Sequence, residues 1–177
     1  MSVDSYIKVK NLIPQDVCNK LITVCESNTN WEMHKWYTPF DDSAKSRPTR
    51  ELDVLYNNES IALQPILIDC ITNYYAETGL DGLITQFSQP RFNRYKTGTV
   101  MSEHTDLIRR HQDDGIPVLS IVGSLNDDYE GGEFIMNDRV INLNQGDVLV
   151  FPSTFLYRHR VEEVTKGTRY SFVSWAY

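Results

Sequence analysis

Three side chains in the second half of the chain have types and spacing suited to holding a transition metal. His104 and Asp106 are separated by Thr105 alone. In an extended strand, residues i and i+2 project to one side, so an imidazole and a carboxylate leave the same piece of backbone together. A second imidazole is available at His159, 53 residues beyond Asp106. Two imidazoles and a carboxylate on one face of an iron leave three positions open, which suits non-haem Fe(II) chemistry in which dioxygen and a second ligand both reach the metal. Taken alone, His-x-Asp is a weak signal, more often a surface pair or a hydrogen-bonded core histidine than a metal site.

Arg169 lies ten residues past His159. Val161 to Val164, followed by Lys166-Gly167, reads as a strand, a turn and a return strand, a hairpin that would bring Arg169 back alongside His159. On the return strand Arg169, Ser171, Val173 and Trp175 alternate onto one face. A fixed guanidinium near an iron can grip the far carboxylate of a dicarboxylate whose near end chelates the metal, and Ser171 can add a hydroxyl donor.

These residues need elements to position them. The first half reads as two helices. Val17, Cys18, Leu21, Ile22, Val24 and Cys25 recur on one helical face after Pro14, and Leu63, Leu67, Cys70, Ile71 and Tyr74 form the stripe of a second helix from near Ser60 to Thr78. Gly79 is its natural stop, and Pro65 belongs in its first turns. Between them, Trp36 to Asp53 is polar and Pro-containing and reads as a long loop, a candidate lid, with a strand over Leu52–Tyr56. From Gln89 onward, short strand-like runs at 91–97, 117–126, 133–136, 139–142, 147–151 and 169–177 are punctuated by glycine and Asn-Asp turns. Many short strands at this spacing suggest a sandwich or jelly roll with the helices covering one outer sheet face.

Composition narrows the field. With 177 residues and 41% apolar content the chain can bury a core and is not a disordered polymer. A net charge of −7 disfavours a nucleic-acid partner, and no apolar run reaches the roughly 20 residues a membrane helix needs. The Met-Ser-Val-Asp-Ser start does not resemble a signal peptide. Cys18, Cys25 and Cys70 read as buried thiols of a reducing, cytoplasmic setting.

Five ordered blocks carry a resemblance. Arg94-Tyr95-Lys96-Thr97-Gly98 with His104-Thr105-Asp106, then Ser124-Leu125-Asn126-Asp127-Asp128 with Glu130-Gly131-Gly132-Glu133-Phe134, then Gln145 to Pro152, then His159, then Val164 to Tyr170 with Trp175, are similar to the prolyl 4-hydroxylase-like branch of the 2-oxoglutarate/Fe(II) dioxygenases. The motif-bearing part covers about residues 89 to 177. The resemblance implies a mainly β fold with α, a double-stranded β-helix with the N-terminal helices on one sheet face, built as one domain over 1–177. Residues 1–88 would supply helical support and the lid loop, and 89–177 the jelly-roll core. It implies that His104, Asp106 and His159 ligate Fe(II) and that Arg169 pairs with the C5 carboxylate of 2-oxoglutarate. Tyr95 would line the cosubstrate pocket with Ser171. Ser124 stands where some relatives carry a second tyrosine, and Trp175 matches an aromatic packed under the site. The implied cofactors are Fe(II), 2-oxoglutarate and O2, with ascorbate as an accessory. The implied reaction hydroxylates an unactivated C–H bond, C4 of a peptidyl proline first of all, with succinate and CO2 as co-products. Trp36, Tyr37 and Phe40 of the lid would stack on the proline ring.

Alternatives are a hydroxylase of a free amino acid or other small molecule, and a catalytically silent jelly-roll binding module, which ought to have lost a ligand. An AlkB-type nucleic-acid demethylase is disfavoured because that family places a further arginine where Trp175 stands. A cupin-like metalloprotein is disfavoured by Arg169 and Ser171. Of the other histidines, His34 and His111 are expected to face solvent, and Arg109 and Arg110, next to the metal motif, are candidates for meeting an acidic or carbonyl-rich substrate.

Overall fold

The strands expected in the second half are present, yet their partners come from both halves of the chain. The structure is a computed structural model that describes residues 2–38, 41–45, 50–80, 82, 84–107 and 115–177. In chain order the elements are β1 (Lys8–Asn11), α1 (Gln15–Ser27), β2 (Glu32–Met33), β3 (Trp36–Thr38), β4 (Asp41–Lys45), β5 (Asp53–Tyr56), α2 (Gln64–Thr78), β6 (Arg91–Lys96) and β7 (Met101–His104). There follow β8 (Leu119–Ser124), β9 (Glu130–Gly131), β10 (Phe134–Met136), β11 (Arg139–Ile141), β12 (Asp147–Pro152), β13 (His159–Val161), β14 (Val164–Lys166) and β15 (Thr168–Ala176).

A major sheet runs in the order β1-β12-β8-β15-β6-β5-β2, and a minor sheet in the order β11-β10-β13-β7, with antiparallel pairing throughout both. This is the mainly β jelly roll that the strand spacing suggests. The period-2 alternation of the strands sorts their side chains between two cores. Phe92, Ile121, Val148, Val150, Tyr170 and Phe172 share one buried cluster with Cys18, Leu21 and Cys25 of α1 and Leu67, Cys70, Ile71 and Tyr74 of α2. Their sequence neighbours Val122, Leu149, Phe151 and Val173 join Tyr95, Phe134, Val161 and Trp175 in a second cluster, between the sheets. Because both faces are covered, β8 and most of β12 and β15 are buried along their length.

Three local expectations change. First, α2 starts at Gln64, and residues Asn58–Leu63 form a 3-10 helix. Pro65 has no N–H and its ring crowds the carbonyl four residues back, so a regular helix cannot extend upstream of it. The stop is as expected: Gly79 takes φ 71° and its N–H donates to the Tyr75 carbonyl at 2.9 Å. Second, the stretch expected as a loop contains the β3–β4 hairpin, in which Trp36 pairs with Lys45 and Thr38 with Asp41. Phe40 lies outside the described residues. Third, β13, β14 and β15 do not form a hairpin. β13 lies in the minor sheet, β14 pairs with β9, and β15 sits between β8 and β6. The local sequence sets strand, turn and strand correctly, but each strand finds a distant partner. No helix among the described residues is long and apolar enough to cross a membrane.

Candidate metal centre

The two candidate histidine ligands face each other across a strand pair: His104 ends β7 and His159 opens β13, in direct register. Their ring centroids are 4.2 Å apart. Asp106, two residues past the end of β7, completes the group. Its Oδ1 lies 3.5 Å from His104 Nε2 and its Oδ2 lies 3.8 Å from His159 Nε2. One ligand atom from each of the three falls within 4.8 Å of the others.

Backbone carbonyls set the tautomers. His104 Nδ1 is 2.8 Å from the Ser102 carbonyl and His159 Nδ1 is 3.0 Å from the Tyr157 carbonyl. A carbonyl only accepts, so each Nδ1 carries the proton and each Nε2 keeps its lone pair for the shared point. Burial lowers the His159 imidazole pKa, outweighing the opposite pull of Asp106, and keeps the ring neutral. Burial also works to raise the Asp106 pKa, but the surrounding imidazoles of His159 and His104 and a hydrogen bond from Ser120 outweigh it. The carboxyl is held well below the usual carboxylate range. Neutral imidazoles and an ionised carboxylate are the protonation states a divalent metal requires.

The walls are aromatic. Phe134 stacks on His159 at 5.4 Å and 14°, and Phe151 meets the same ring edge-on at 5.0 Å. Trp36 of β3 meets His104 edge-on at 5.3 Å. His34, expected in solvent, is half-buried with its ring 4.9 Å from that of Trp36. Arg109, Arg110 and His111 lie outside the described residues.

The second group lies in the same inter-sheet space. Arg169 is 1% exposed, and its guanidinium sits 4.9 Å over the ring of Tyr95, its direct cross-strand neighbour on β6. Nη1 donates to Ser171 Oγ at 3.2 Å, whereas Nε and Nη2 have no hydrogen-bond partner among the described residues. Among the described residues no carboxylate pairs with it. An uncompensated buried cation is costly, and native interiors rarely leave such donors unpaired. Two unpaired donors on one planar fork fit an oxyanion, and a dicarboxylate's far end is one. Burial raises the Tyr95 pKa against the pull of Arg169 and Arg91, so the hydroxyl stays protonated. Gly132 makes room for the arginine stem: at φ 67°, a Cβ there would come 2.9 Å from Val164 Cγ2 and 3.3 Å from Arg169 Cδ.

Ser171 and Ser124 are opposite each other on β15 and β8, both fully buried. The Ser124 hydroxyl donates to the Asn126 carbonyl at 3.1 Å, so only its acceptor side is left for a ligand. Trp175 is 4% exposed and pairs across to Ser120, whose Oγ lies 2.7 Å from Ser153 Oγ. Sequence reasoning missed Ser120, although alternation along β8 puts it on the face of Val122 and Ser124. It also missed Phe134 and Phe151, whose types and positions read simply as core.

The fold brings His104, Asp106 and His159 together as a group that could hold a metal ion, in a jelly roll that also buries the Arg169 guanidinium. Residues 90–177 match the 2OG-Fe(II) oxygenase superfamily, and that half of the chain belongs to it. A PKHD-type hydroxylase of Delftia acidovorans is 41% identical over 98 residues, covering 50% of this chain and 42% of that one. A second, from Hyphomonas neptunium, is 41% identical over 97 residues, covering 49% and 42%. The matched stretch therefore spans less than half the length of these curated relatives. A Pseudomonas putida prolyl-4-hydroxylase superposes with a TM-score of 0.70 at 18% identity, covering 98% of this chain and 95% of that one. A Trichoplax adhaerens prolyl hydroxylase, in complex with a peptide fragment of the hypoxia inducible factor oxygen degradation domain, gives 0.74 at 15%, covering 98% and 84%. At these identities the likeness is one of fold.

Proposed function

We propose that this chain is a hydroxylase in which His104, Asp106 and His159 hold Fe(II), and Arg169 with Ser171 and Tyr95 holds 2-oxoglutarate. When bound, the metal and cosubstrate supply the oxidising power, by activating O2 as 2-oxoglutarate is converted to succinate and CO2. The protein's share is binding, orientation and exclusion of water. The two Nε2 lone pairs and the Asp106 carboxylate would hold the metal. The fork of Arg169 fixes the cosubstrate's far carboxylate, with the Tyr95 and Ser171 hydroxyls as further donors. Phe134 and Phe151 keep solvent from the His159 side. The observation that carries the reading is Arg169: buried, with two donors unpaired, on the same inter-sheet space as three metal-competent side chains.

The substrate we assign is a proline within a peptide or protein, hydroxylated at C4. Support comes from the hydroxylase relatives and from the peptide-bound fold neighbour. The hairpin carrying Trp36 would close over it as a lid. We assign the reaction to a reducing compartment, the cytoplasm, because Cys18, Cys25 and Cys70 are free and buried. The test is aerobic incubation with Fe(II), 2-oxoglutarate and a panel of proline-containing peptides, with and without ascorbate. Succinate together with a gain of one oxygen on a peptide is expected. Succinate without peptide oxidation would keep the oxygenase and discard the prolyl target in favour of a small molecule.

A further inference from the structure

The three candidate ligands are not supported equally. His159 is 4% exposed between Phe134 and Phe151, on a strand flanked by β10 and β7. Asp106 is 3% exposed. His104 is the outer one: it ends β7, which forms the edge of the minor sheet. An edge strand is paired on one side only, and its outward N–H groups need other partners.

Residues 50–52 supply them. Val100 N donates to the Arg50 carbonyl at 2.9 Å, and Leu52 N donates to the Val100 carbonyl at 3.2 Å, making a short parallel bridge at Glu51. From there the Glu51 side chain, in a residue 4% exposed, reaches along the edge. Its Oε1 accepts from Ser102 Oγ at 2.5 Å and its Oε2 from Ser102 N at 3.4 Å. The carbonyl of the same Ser102 accepts from His104 Nδ1. A continuous chain of hydrogen bonds therefore runs from a carboxyl group, through one serine, to the imidazole that would face the metal.

We propose that Glu51 is a positioning residue for the metal ligand His104, acting through Ser102. It does for the edge ligand what aromatic packing does for His159. Without it, Ser102 is held from one side, its carbonyl drifts, and the His104 ring loses the orientation that aims Nε2 at the shared point. Partners of this kind, one bond behind a ligand, typically change metal affinity by about 10- to 100-fold. The inference rests on the metal reading of His104, Asp106 and His159.

The test is Fe(II) titration by calorimetry without oxygen, with the electronic spectrum of the Co(II) form as a second readout. Glu51→Ala and Ser102→Ala are each expected to weaken Fe(II) binding about 10- to 100-fold and to alter the Co(II) spectrum. The double variant should be no weaker than the worse single one, because both act on one chain of bonds. Glu51→Gln, which keeps an acceptor, should recover most of the affinity. Glu103→Gln, beside His104 but paired outward with Arg158 and Arg160, should stay within twofold of the parent. Fe(II) affinity within twofold of the parent in folded Ser102→Ala and Glu51→Ala would overturn the proposal. Failure of the unaltered protein to bind Fe(II) would instead overturn the metal reading beneath it.

Discussion

On the helix side of the major sheet, Arg94 is paired. Its Nε and Nη2 both donate to Asp53 Oδ2, at 3.1 and 2.8 Å, and its guanidinium lies 4.2 Å over the Trp31 ring. One residue further along β6 the face changes, and Tyr95 pairs with Arg169, whose Nε and Nη2 have no hydrogen-bond partner among the described residues. The two arginines sit on neighbouring strands of one sheet, yet one is closed by its own chain and the other is left open. The helix-facing side carries self-satisfied pairs and packed apolar groups, whose value is stability. The inner side also carries Arg169 with two unpaired donors and the metal-competent His104, Asp106 and His159, groups that the proposed function completes with ligands. Substitutions on the two faces should therefore separate function from folding.

The comparison is most severely tested by Asp106→Ala or His104→Ala, each expected to reduce succinate formation to background while the far-UV circular dichroism stays unchanged. Coupled turnover in either would break the ligand assignment. Next, Arg169→Met should raise the 2-oxoglutarate KM about 100-fold or more, from loss of charge-assisted bonds worth about 1.5–3 kcal/mol each. Fe(II) affinity should hold and the melting temperature should not fall, because an unpaired buried cation has been removed. On the other face, Leu67→Ala should cost about 2–5 kcal/mol in denaturant unfolding, with the 2-oxoglutarate KM unmoved. Asp53→Asn, at a half-buried pair, should cost about 1 kcal/mol or less. The smallest effect is expected from thiol reagents at pH 8. Burial pushes Cys18 up to about 11 and Cys25 and Cys70 up to about 12, so none should react until denaturant is added.

The site was readable in advance to the extent that its residues are close in sequence or share a strand. His104 and Asp106 are two apart, and Arg169 and Ser171 alternate onto one face of β15, so local geometry was enough. The route joining the two groups was not readable. The 159–171 stretch looks like a hairpin locally, and only pairing with distant β8, β6, β9 and β10 sends its strands into different sheets. The β3–β4 hairpin was equally hidden: Asp-Asp-Ser-Ala-Lys has no apolar alternation and low strand propensity, so its pairing leaves no local trace. Glu51 has no motif at all. Its significance comes from a bridge to Val100, 49 positions away.

One consequence of the sealed guanidinium reaches beyond the reaction. An anion that docks on Arg169 lowers the free energy of the native state alone, since the unfolded chain offers no comparable site. By mass action, a ligand at 100 times its dissociation constant adds about 2.7 kcal/mol to the work of unfolding. Resistance to heat and to proteases would then rise and fall with the supply of such an anion.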